Sequence, residues 1–145
     1  MTPSRLLPLL AAAALAPGQV TTRVTSDAPI VNFRLPTFTD AGHRAWLVRG
    51  SEAKLVSARE IDVNKLTMTV FSGDATERIR TMILSPVARL LPESQVVFGP
   101  SSIRVIDDEF EASGEEWRYE HQEKRVSIRK NVRVAFRAQL KSLLQ

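Results

Sequence analysis

The sequence predicts an all-β protein built from sheets with one dry side, behind an N-terminal signal segment. Three observations carry this. Apolar and polar residues alternate in short runs, as in Leu66-Thr67-Met68-Thr69-Val70, so each run has one dry and one wet face. Turn-forming clusters such as Asp40-Ala41-Gly42 and Ser72-Gly73-Asp74 punctuate these runs. Stretches with the 3.6-residue spacing of a helix are rare.

At the start of the chain, Arg5 precedes an apolar run of 11 residues, Leu6–Ala16, followed by Pro17 and Gly18. A basic start, a short apolar core and small residues before a cut are the layout of a secretory signal. Residues 1–18 therefore read as a signal peptide cut after Gly18, because a cut after Ala16 would leave Pro17 directly behind the break. The run is shorter than the ~20 residues that span a bilayer, so an uncleaved anchor is the weaker alternative. Residues 19–29 read as a polar lead-in.

From residue 30 to 137 the chain reads as strand, turn, strand in a single domain. Ile30–Leu35 is a strand closed by Pro36. Asp40–Gly42 turns the chain, since glycine tolerates the positive φ of a tight reversal. Arg44–Arg49 and Glu52–Ala58 read as two strands broken at Gly50. Ile61–Val63 and Leu66–Phe71 read as two more, flanking an Asn64-Lys65 turn. After a loop over residues 72–78, Ile79, Thr81 and Ile83 alternate until Pro86, which has no N–H for a ladder. Residues 87–94 are the one stretch with the look of a helical turn. Residues 96–100 form a short strand, and Ile103 and Val105 mark another. Trp117, Tyr119 and His121 share a strand face. Residues 138–145, AQLKSLLQ, read as a tail or short helix. Phe38, Gly42 and Trp46 are echoed at Phe110, Gly114 and Trp117, as if a hairpin unit were reused.

The end of the domain is unusual in charge. Eight acids lie between Asp107 and Glu123, and from Lys124 onward there are seven Lys/Arg and no acid. Across that boundary Val126, Ile128, Val132, Val134 and Phe136 fall on one strand face, with Arg125, Arg129, Arg133 and Arg137 on the other. Lys130 interrupts the apolar column and marks a bulge or local break in one long strand. Two antiparallel neighbours account for the pattern: residues 115–123 pair with 124–133, placing Glu opposite Arg. The later arginines, Arg129, Arg133 and Arg137, extend past the acids and are candidates for a phosphate or an acidic partner. A long final strand is also a free edge, with unpaired backbone groups that can accept another strand. The arginine row either guards that edge or selects its partner.

Several chemistries are disfavoured. The chain has no cysteine, hence no disulfide, thiolate metal site or catalytic thiol. Its two histidines, His43 and His121, have no metal-ligand spacing, and no serine has an identifiable base. The acids over 107–116 read as a solvated hairpin rim. No enzyme, cofactor or metal is expected. Loss of Arg5 with the signal would leave a net charge of +3, too small an excess to suggest nucleic acid. Trp46 and Trp117 read as core or groove-rim packing.

Gly114, Trp117, Tyr119, Val126, Ile128, Asn131, Val132 and Val134, in that order and spacing, resemble the closing strands of the periplasmic lipopolysaccharide-transport component LptC and its LptA/OstA-like relatives. The opening stretch PIVNFRLPTFTDAGHRAWLVRGSEAKL is similar to that family's first hairpin, with Asp40-x-Gly42 and then Gly50-x-x-Ala53. The resemblance covers roughly residues 28–136. It implies a β-jellyroll, a slightly open β-sandwich of stacked antiparallel strands, whose apolar groove holds acyl chains, and whose edge strands pair with other jellyroll bridge proteins and an inner-membrane ABC transporter complex. On that reading the groove is lined by Val48, Leu55, Ile61, Val63, Met68 and Val70, then Ile79, Ile83, Ile103 and Val105, and finally Ile128, Val132 and Val134. The partner edges are Ile30, Val31 and Phe33 at one end and Asn131, Val132, Arg133, Val134 and Phe136 at the other. The cargo would be lipopolysaccharide or a related amphipathic lipid, and the location the periplasm. The family's inner-membrane member carries a transmembrane helix, and here only a short signal-like segment stands in its place. Without the resemblance, the same columns describe a closed sandwich core. The competing function is a secreted assembly or adhesion module that pairs edges and carries no lipid.

Overall fold

A computed structural model describes residues 28–137. The proposed signal, nearly all of the lead-in and the C-terminal tail lie outside the described residues. Seven strands run antiparallel in one sheet in simple sequence order: β1 (Ile30–Phe38), β2 (Arg44–Ser57), β3 (Glu60–Phe71), β4 (Ile79–Leu91), β5 (Val96–Asp107), β6 (Phe110–Glu120) and β7 (Arg125–Phe136). The sheet is open, so β1 and β7 each have one hydrogen-bonded neighbour. No helix occurs among the described residues.

The strands are longer than the sequence suggests, because most expected breaks are bulges inside continuous strands. Gly50 lies within β2 and the Asn64-Lys65 pair within β3. Pro86 lies within β4, which also absorbs the expected helical turn at 87–94 as far as Leu91. Pro36 likewise lies inside β1, an edge strand, the place in a sheet where a missing N–H is tolerated. These irregularities align into one crease across the sheet. Lys65 has φ 50° and Asn32 in β1 has φ 53°. The β4–β5 register shifts between Leu84 and Arg89, and the β5–β6 register between Gly99 and Ser102. The β6–β7 register shifts between Ser113 and Glu115, beside Glu116 (φ 54°) and Asn131 (φ 49°).

The crease changes the alternation of faces. In β3 the core side chains are Val63 before it and Leu66, Met68 and Val70 after it. In β4 they are Ile83 and then Ala88 and Leu90, and in β6 Ala112 and then Trp117 and Tyr119. Each strand thus bends while keeping its apolar side inward on both halves, and the sheet closes over its own core. Ser85 repairs the backbone beside Pro86 by donating its hydroxyl to the carbonyl of Ser102 at 2.7 Å or of Val87 at 3.0 Å. Gly114 admits β7: a Cβ there would lie 2.3 Å from Ile128 Cγ2 and 2.8 Å from the Lys130 carbonyl. The Phe-Gly-Trp echo is therefore not a repeated unit. Gly42 sits in the β1–β2 turn at φ 85°, whereas Gly114 is in mid-strand.

The expected final hairpin is present. Glu120 pairs with Arg125 and Glu115 with Lys130 across β6 and β7, and Arg125 Nη2 reaches Glu120 Oε2 at 2.9 Å.

Candidate functional site: an apolar trough along the last strand

The inward columns split into a sealed part and an open part. Val48, Val63, Met68 and Ile83 are fully buried, and Ile103 nearly so. They form a dry core with Trp46, Leu90 and Trp117, so these five expected groove residues are structural packing. Ile61 packs against the same core. Leu55 and Ile79 are more than half exposed and lie beside register shifts near strand ends. Both fall outside the groove because a bulge breaks the alternation that would have turned them inward.

The remaining five, Val70, Val105, Ile128, Val132 and Val134, line a recess of about 420 Å³ on the inner face. One wall is the inward column of β7, from Val126 to Val134; the facing wall comes from Val70, Phe71, Thr81 and Val105. Nine residues of extended chain reach about 30 Å, so the recess is a trough rather than a spherical cavity. Alternation put Val126 in the same β7 column, though not among the expected groove residues, and did not reveal Phe71, Phe110, Ala112 or Tyr119 as part of the recess. Their inclusion depends on how the crease folds the two halves together.

One end of the trough adjoins a polar cluster. His121, in the β6–β7 turn, stacks on Trp46 with ring centroids 5.3 Å apart and planes 12° from parallel. Lys124 Nζ, which can only donate, lies 2.9 Å from His121 Nε2, so that nitrogen accepts. The neutral ring then carries its proton on Nδ1, facing Tyr119 Oη at 2.9 Å. Burial, aided by the Lys124 charge, pushes the His121 imidazole down to about 4. Burial also raises the Tyr119 phenol. Lys124 is lowered, first by burial and then by the charge of Arg80. Lys124 and Arg80 both line the trough.

The expected partner edges sit at the two open sides of the sheet. Ile30, Val31 and Phe38 on β1 and Val132, Val134 and Phe136 on β7 are exposed, making up most of the large exposed apolar side chains. Phe33 is buried instead and belongs to the core. Arg133 faces outward opposite Ser113. Arg137 pairs with Glu111 at 3.2 Å, whereas no ion pair involves Arg129 or Arg133 among the described residues. All three lie away from the trough, on the opposite face or beyond the strand end, so they do not gather at its mouth.

A second recess, about 720 Å³, crosses the opposite face of the sheet and is lined in part by Val87, Phe98, Pro100 and Arg129. Most of its charges are already matched. Arg89 makes a two-pronged contact with Asp62 at 2.8 and 3.2 Å, and Glu116 holds Lys130 at 3.0 Å.

No protein-family model and no curated protein matches the chain.

Proposed function

We propose that this protein is a periplasmic lipid-binding bridge component of the LptC/OstA-like kind, which holds acyl chains of lipopolysaccharide or a related amphipathic lipid in its trough. The carrying observation is β7. Its inward column is apolar yet only partly covered, with Val132 49% and Val134 47% exposed. Leaving that much apolar surface uncovered is unfavourable by about 25 cal/mol per Å², and an acyl chain lying along the strand would cover it. The outer backbone rim of the same strand is free and suits pairing with a neighbouring jellyroll. Lipid and partner would therefore meet on one strand. The protein would act as a passive conduit, with energy supplied by an ABC transporter complex.

A photoreactive residue at Ile128, inside the trough, tests this against one at Ser127, its neighbour on the other face. Lipopolysaccharide captured at 128 and not at 127 is the expected result. Capture of a protein strand at 132–136 with no lipid at 128 would instead favour the assembly module.

A further inference from the structure

The arginines first suspected of binding phosphate lie away from the trough, but two other cations stand at its mouth. We infer that Arg80 and Lys124 form a clamp for the anionic head group of an amphiphile whose alkyl chain lies along β7. The inference rests on the reading of the trough as an acyl-chain site and specifies which amphiphiles it takes.

The two cations arrive from different hairpins. Arg80 sits at the register shift between β3 and β4, where Val70 pairs with Thr81 and Phe71 with Ile79, leaving residue 80 as the extra one. Lys124 closes the β6–β7 turn with φ 51°. Neither makes an ion pair among the described residues, although most other cations of β4–β7 do. Lys124 gives one N–H to His121 Nε2 and retains two. The one carboxylate lining the trough, Asp107, is engaged by the Thr81 hydroxyl at 2.9 Å and the Glu109 amide at 3.1 Å. Both cations line the same recess, and the Arg80 charge adds to burial in lowering Lys124; an anion between them relieves their repulsion. Beside them the wall is apolar, with Phe71, Val126 and Tyr119. Paired positive charge at the end of an apolar channel is complementary to a phosphate or similar anion joined to an alkyl chain. A free anion would leave the channel unfilled, and a neutral detergent would leave the cations unpaired.

Titration calorimetry of the described domain's full chain with dodecyl phosphate, dodecyl maltoside and inorganic phosphate, below micellar concentrations, separates the cases. Dodecyl phosphate is expected to bind at least tenfold more tightly than dodecyl maltoside, with the gap narrowing at high salt. Arg80→Gln should erase most of that preference, lowering the affinity for dodecyl phosphate far more than that for dodecyl maltoside. Because Arg80 is exposed and has no side-chain partner among the described residues, this variant should fold as the wild type does. Lys124→Gln, checked for folding by its thermal transition, should act in the same direction. Equal affinity for the two detergents overturns the clamp and leaves the acyl-chain trough standing, as does a preference that survives Arg80→Gln. Inorganic phosphate binding as tightly as dodecyl phosphate also overturns it. Failure to bind either detergent defeats the trough and the clamp together.

Discussion

Acidification between pH 7.5 and 5.0 should weaken the fold through a single buried ring. His121 is only 7% exposed and stacks on Trp46 of β2, so it ties the β6–β7 turn to a strand four places away in the sheet. Its folded-state value is pushed down to about 4 from an ordinary 6.5. The unfolded chain therefore takes up a proton first. Stability is full above about pH 6.5 and falls as the pH drops from there towards 4, levelling off below the folded value. Linkage sets the slope at up to ~1.4 kcal/mol per pH unit. Over the interval from pH 7.5 to 5.0 the loss amounts to about 2 kcal/mol. Glu77, Glu111 and Glu120, held below 4.5 by their arginine partners, respond only at more acid pH and do not obscure this window. Urea unfolding at half-unit intervals, followed by tryptophan fluorescence, would measure the slope. In His121→Phe, which keeps an aromatic ring on Trp46, the slope over the same window should largely vanish. A wild-type stability that is flat from pH 7.5 to 5.0 would refute the reasoning, and so would an unchanged slope in His121→Phe.

Met68→Ala, at a fully buried site, should cost about 2–5 kcal/mol in urea unfolding. Gly114→Ala should cost about 1–3 kcal/mol by the same measurement, because the added methyl meets Ile128 and the Lys130 carbonyl. Arg89→Met should shift the urea midpoint little despite three short contacts to Glu60 and Asp62, since all three side chains are about two-fifths exposed to water, which screens the pairs. The double substitution Arg129→Ser, Arg133→Ser should raise self-association in sedimentation velocity by removing charge from the β7 edge; an unchanged monomer would show that these arginines do not guard it.

Much of the fold was legible in the sequence, and the part that was not has one physical origin. The two-residue alternation located at least part of every strand, although residues 87–91 of β4 read as a helical turn, and the charge boundary at Lys124 located the β6–β7 hairpin. The crease then misled the reading. When Val63 and Leu66 both face inward, the alternation skips a beat. A skipped beat looks in sequence like the end of one strand and the start of another. Gly50, Lys65 and Pro86 reinforced that impression because glycine, a polar pair and proline are also turn signals. For the trough, the β7 column was visible as Val126, Ile128, Val132 and Val134, but the facing wall was not. Whether Met68 or Val70 borders open space depends on where the two halves of the sheet part. Contacts between residues as distant as Trp46 and His121 set that, and no local pattern encodes them.

The crease itself yields a test in which strand propensity and local geometry predict opposite signs. Lys65 and Thr67 are both in β3, two residues apart. At Thr67, paired with Arg49 and Leu84 in regular ladders, a β-branched residue is favoured over glycine by up to ~1 kcal/mol. Lys65 has φ 50°, where a Cβ crowds the following carbonyl at a cost of roughly 1–2 kcal/mol, most severely for β-branched side chains. Glycine escapes that cost. The Lys65 side chain is exposed and makes no ion pair among the described residues, so little else changes with its replacement. Lys65→Gly should therefore be more stable than Lys65→Val by about 1 kcal/mol or more, while Thr67→Val should be more stable than Thr67→Gly. Urea unfolding of the four variants decides the matter. If valine is the better residue at both positions, the skipped beat at Lys65 is not a left-handed bulge. The inward turn of both halves of β3, on which the closed core and the open trough depend, would then need another cause.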